Sequence, residues 1–140
     1  MCFQIIEFQK NKYRSIEILS LLIAAVSAVL IAGEAADWKE LFSVFNLWIV
    51  LPYILFFIIS TKSNQKSKSS IVPIASCLTA LLILSFTLLV YIDSFYISAS
   101  STSALVFIFV PFYIVVGGPI AFYVLYSIIN TSQKRKNQST

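Results

Sequence analysis

Four apolar stretches, residues 18–36, 41–60, 71–92 and 104–129, contain neither lysine nor arginine, and each is close to the roughly 20 residues a helix needs to cross a bilayer. No other feature of the chain constrains its fold as strongly. A basic residue at the centre of a membrane helix costs about 2.5 to 3.5 kcal/mol, whereas each Leu, Ile, Phe or Val returns only about 0.3 to 0.6, so the charges mark where spans end. Lys39 and Glu40 separate the first two spans, and Lys62, Lys66 and Lys68, set among serines, separate the second and third. Residues 94–103 separate the third and fourth, and 130–140 form a polar tail. The expected fold is all-α: a polytopic membrane protein whose four transmembrane helices form one bundle, a single membrane domain over residues 1–140. Charged residues make up 11% of the chain against about 25% in soluble domains, which rules out a water-soluble globule.

Orientation follows from the basic residues. Lys10, Lys12 and Arg14 precede span one, Lys62, Lys66 and Lys68 follow span two, and Lys134, Arg135 and Lys136 follow span four. Only Lys39 falls on the other side, with Glu34, Asp37, Glu40 and Asp93. The positive-inside rule then makes both termini cytoplasmic, which agrees with an even number of spans. The short loops suit a bacterial cytoplasmic membrane. A rival reading takes the basic N-terminus, the apolar run from Ile18 to Ile31 and the small-residue end at Gly33, Glu34 and Ala35 as a secretory signal, whose removal would leave three spans. Glu7, Glu17 and the apolar Phe3, Ile5, Ile6 and Phe8 fit an interfacial anchor better, so span one is expected to stay.

The same residues exclude much chemistry. There is no histidine, the usual general base near neutral pH and the commonest metal ligand. Cys2 and Cys77 are too far apart in sequence to make a CxxC redox pair, and two thiols do not make a four-ligand zinc site. Nucleotide-binding and hydrolase motifs are absent. The formal charge of +4 lies beside apolar spans rather than on a soluble face, so nucleic acid is not an expected partner. No cofactor is implied.

What remains is packing and backbone irregularity. In span one, Ser20, Ala24, Ala28, Ala32 and Ala36 recur every four residues, a stripe of small side chains that lets another helix approach closely. It reads as a seam within the bundle or as a surface for another copy. Glu17 extends that stripe at the rim, three residues after Arg14 and within pairing reach of it; the alternative is a cation-binding carboxylate in the bundle mouth. Span two carries Asn46, an amide suited to bonding a neighbouring helix, and Pro52, which should kink it. Thr79, Ile83, Thr87 and Tyr91 put a partly polar face on span three.

Span four concentrates the helix breakers Pro111, Gly117, Gly118 and Pro119, so a kink or an unwound turn is expected there. Aligning Pro52 with Pro111 also matches Trp48 with Phe107 and Tyr53 with Phe112, a weak sign of two duplicated hairpins. Two functions follow. The first is a non-enzymatic membrane protein acting through helix packing with a partner in the bilayer, as an accessory or assembly subunit or an immunity-type protein that meets a pore-forming toxin. The second is a facilitator or channel subunit for a small solute, with its site between Pro52 and the Gly117, Gly118 and Pro119 break. An enzyme is not expected, because the available hydroxyls have no activating base at depth.

Overall fold

The computed structural model describes residues 2–35, 44–67, 69, 71–97 and 103–138. These residues form four α-helices: α1 (Cys2–Ala35), α2 (Val44–Lys66), α3 (Ile71–Ile92) and α4 (Ser103–Gln138), with a π-helical turn, Asp93–Ile97, continuing α3. Each helix is long and apolar enough to cross a membrane, as expected of a multi-pass membrane protein. The four-helix, all-α expectation holds.

Helix α3 starts and stops where the charges place it, at Ile71 and Ile92. The other helices overrun their expected limits. Helix α1 begins at Cys2 rather than near Ile18, α2 continues through the expected connector to Lys66, and α4 continues through the expected polar tail to Gln138. The physical reason is that a lysine or glutamine is costly in hydrocarbon but nearly neutral to helix formation, at a few tenths of a kcal/mol per residue or less. Charge therefore marks the edge of the apolar layer and not the end of the helix. Of the expected second span, residues 41–43 lie outside the described residues, as does Ala36 of the small-residue stripe.

The serines between α2 and α3 hold that connection. The Ser67 N–H donates to the Ser63 carbonyl at 3.1 Å, the Ser69 N–H to Ser67 Oγ at 3.1 Å, and the Ile71 N–H to Ser69 Oγ at 3.2 Å. Backbone donors that a helix start leaves without partners are thus met by side chains. Pro73 follows in the first turn of α3, where its missing N–H is no loss.

Helix α1 packs on α2 and most extensively on α3, while α4 packs on α3 and α2. Contact between α2 and α3 is slight, so the order around the bundle is α1, α2, α4, α3, and the short serine connection crosses a diagonal. The core sets the small side chains of α1 (Ala24, Ala28 and Ala32) against larger ones elsewhere, among them Tyr53 and Phe56 of α2, Ile83 and Tyr91 of α3, and Phe107 and Ile114 of α4. Helix α3 is the most enclosed, with 56% of its apolar window buried, and α4 the least, with 28%.

Candidate functional site

At the basic end of the bundle, α1 and α2 run antiparallel, joined by a ladder of polar contacts. Lys10, Arg14 and Glu17 recur at helical spacing on one side of α1, and Asn64, Thr61 and Ser60 answer them from the last turns of α2. Lys10 Nζ donates to the Asn64 carbonyl at 3.3 Å, and Arg14 Nη2 to Thr61 Oγ1 at 3.1 Å. Below them Ser60 Oγ donates to Glu17 Oε1 and accepts from Asn64 Nδ2 at 3.4 Å. Glu17, Ser60 and Asn64 are each 2% exposed, which makes this the buried end of the ladder. Glu17 Oε2 and Asn64 Oδ1 are buried with no hydrogen-bond partner among the described residues.

Glu17, expected as a rim charge, is buried between the helices at this end of the bundle, and Arg14, whose charge acts on it, hydrogen-bonds Thr61. The cause is helix phase. Glu17 continues the face of Ser20, Ala24 and Ala28, which is turned into the bundle, whereas Arg14 lies a turn nearer the end and reaches across to α2. Ser60 and Asn64 were not singled out from sequence. Their signal was the four-residue step that puts both on one face of α2, but they sit where the apolar run gives way to lysines and read as connector.

The small-residue stripe is a seam within the chain. Ser20, Ala24, Ala28 and Ala32 are all buried, and α1 makes its largest contact with α3. The Ser20 hydroxyl is satisfied inside its own helix, donating to the Ile16 carbonyl at 2.7 Å. Asn46 lies in α2, and its side chain lies outside the described residues.

A second polar layer lies deeper. On α3, Thr79, Ile83, Thr87 and Tyr91 are all buried, as their spacing suggests. Thr79 bonds back to the Ala75 carbonyl at 2.8 Å, and Thr87 to the Ile83 carbonyl at 2.8 Å. Tyr53 of α2 approaches Thr87 Oγ1 at 3.1 Å. With the Thr87 hydrogen given to Ile83, the Tyr53 phenol is the donor. Tyr91 packs on Phe107 of α4 with ring centroids 5.3 Å apart, and its buried hydroxyl has no partner among the described residues.

Helix α4 is continuous through Pro111, Gly117, Gly118 and Pro119, so the expected unwound turn is not formed. The two glycines face different ways. A Cβ on Gly118 would touch Phe56 at 3.5 Å and Ile83 at 3.6 Å, whereas one on Gly117 would meet nothing within 4 Å. Gly117 is an exposed lining residue of a groove of about 290 Å³ between α3 and α4, lined also by Leu82, Phe86, Tyr113 and Ala121, with Ile83, Ile114 and Gly118 buried beneath. Ala121 stands four residues after Gly117, a small-residue pair that escaped notice beside the glycine-proline cluster. Pro52 and Pro119 do come together, but in a crevice of about 70 Å³ whose other walls, Leu55, Phe56, Ile59, Ile114 and Val115, are all apolar.

Comparison with known protein families, with characterised proteins and with solved structures returns no match to this chain.

Proposed function

We propose that the chain is a non-enzymatic integral membrane protein that acts by receiving a transmembrane helix of a partner membrane protein in the groove between α3 and α4. The supporting observation is Gly117, exposed on the least buried helix and in register with Ala121 along that groove. Lipid tails fill any apolar hollow, but a lining of small residues four apart lets a second helix backbone come close, and close packing is what holds membrane helices together. The seam of α1 is already occupied by α3, and among the described helices α4 leaves the largest share of its apolar window unburied. In this reading both termini are cytoplasmic, Pro52, Pro111 and Pro119 kink α2 and α4 in the bilayer, and the protein serves as an accessory or assembly subunit, or as an immunity-type protein against a pore-forming toxin. A small-solute facilitator is less well supported. Its site near Pro52 and the Gly117, Gly118 and Pro119 break is split between an apolar crevice of about 70 Å³ and the groove of about 290 Å³, where Thr79 and Tyr113 carry the polar atoms of the lining, while ligand sites run to about 300 to 1,000 Å³ with polar groups to orient their contents.

The test is purification from mild detergent of the native protein and two glycine variants. G117L is expected to keep the thermal midpoint of the native bundle and lose the co-purifying membrane protein. G118L, pressed against Phe56 and Ile83, is expected to lower the midpoint. A native protein that returns consistently alone as a monomer overturns the proposal.

A further inference from the structure

At the basic end of the bundle, the ladder between α1 and α2 places a carboxylate, a hydroxyl and an amide oxygen together; Arg14 acts on the carboxylate by its charge, but among the described residues no hydrogen bond or ion pair joins the two. Glu17, Ser60 and Asn64 are each 2% exposed. The basic side chains of α1 nearest to them are both committed to neutral oxygens, Lys10 to the Asn64 carbonyl and Arg14 to Thr61 Oγ1. Among the described residues Glu17 receives one hydrogen bond, from Ser60, and its second oxygen receives none. Asn64 spends its amide N–H on Ser60 and leaves its own oxygen bare. Both groups left over are acceptors. Buried acceptors are almost always satisfied, and a buried carboxylate is either paired, bound to a metal ion or neutralised.

We infer that a small monovalent alkali cation binds at the Glu17, Ser60 and Asn64 cluster between α1 and α2. Oxygen-only donors select hard cations, and a single carboxylate balances a single positive charge. A divalent ion would call for more acidic ligands, and among the described residues no three His, Cys, Asp or Glu side chains come together. The Asn64 oxygen supplies a neutral ligand, and Ser60, by bonding both partners, fixes the carboxylate and the amide relative to each other. The other groups whose charge or thiol interacts with Glu17 are Arg14 on its own helix and Cys77 on α3. This site is independent of the groove on α4, so the two proposals stand or fall separately.

The experiment is thermal unfolding of the purified full-length protein in detergent, with NaCl or KCl replacing choline chloride at constant ionic strength and fixed pH. The midpoint is expected to rise with the logarithm of the concentration of one of the alkali salts, and the rise to vanish in E17Q. Should E17Q not fold, N64A keeps the carboxylate and is expected to need about tenfold more salt for the same rise. A midpoint indifferent to both salts, or an equal rise in E17Q or in N64A, overturns the inference. So does stabilisation by acid in choline chloride with no response to either salt, because a proton is then the group that satisfies the cluster.

Discussion

Ala28 has no exposed surface, and it stands where α1 is pressed against the most enclosed helix of the bundle. Replacing it with leucine adds three carbons to a space that has none to give, so A28L is expected to lower stability by about 1 to 3 kcal/mol, read as a fall in the thermal midpoint in detergent. Leucine in place of Val26, on the exposed side of α1, adds one carbon facing outward and is expected to leave the midpoint in place. Ala28 was legible in the sequence because the spacing of small residues is itself the physical requirement for close helix approach. Glu17 was legible as a site residue but not as a buried one. A charge near the end of an apolar run reads as its boundary, and only the partner helix, extended to Lys66 and bringing Ser60 and Asn64 alongside, turns that boundary into an interior. The phase of Gly117 against Gly118 was likewise beyond the sequence, since adjacent glycines on a helix differ by about 100° and nothing in the run says which one faces in.

Helices α1 and α4, at 34 and 36 residues, are about 51 and 54 Å long at 1.5 Å per residue, against a hydrocarbon core of about 30 Å. Each therefore carries roughly 20 Å of helix that no apolar layer of that depth would cover. In α4 the segment from Thr131 to Lys136, about 9 Å of that surplus, is exposed throughout. Because it buries so little, a chain ending at Asn130 is expected to melt within about 0.5 kcal/mol of the full-length protein, the scale of ordinary surface changes. A large loss of stability would show that the extension docks on the bundle. The spans themselves were legible from the absence of lysine and arginine. The extensions were not, because helix propensity continues where hydrophobicity stops.

The four helices are ordered α1, α2, α4, α3 around the bundle, with α1 beside α3 and opposite α4. A plain meander would put α1 beside α4, so the arrangement can be tested by cysteine pairs scanned across the helices in a background with Cys2→Ser and Cys77→Ser. Pairs between α1 and α3 are expected to cross-link and pairs between α1 and α4 are not; the opposite result means the meander. Sequence reasoning reached the number of helices and the stripe that binds one of them. It did not reach the order, because a stripe of small residues names no partner and a four-helix count fits either ring. The diagonal crossing of the serine connection also has a consequence in time. The main partner of α1 is not the next helix to be made but the one after it. At about 5 to 20 residues per second, the stretch from Ala36 to Ile92 takes about 3 to 11 seconds to synthesise. Until then only α2 can cover α1, and whatever shields the part of its small-residue face that α3 takes must do so until α3 arrives.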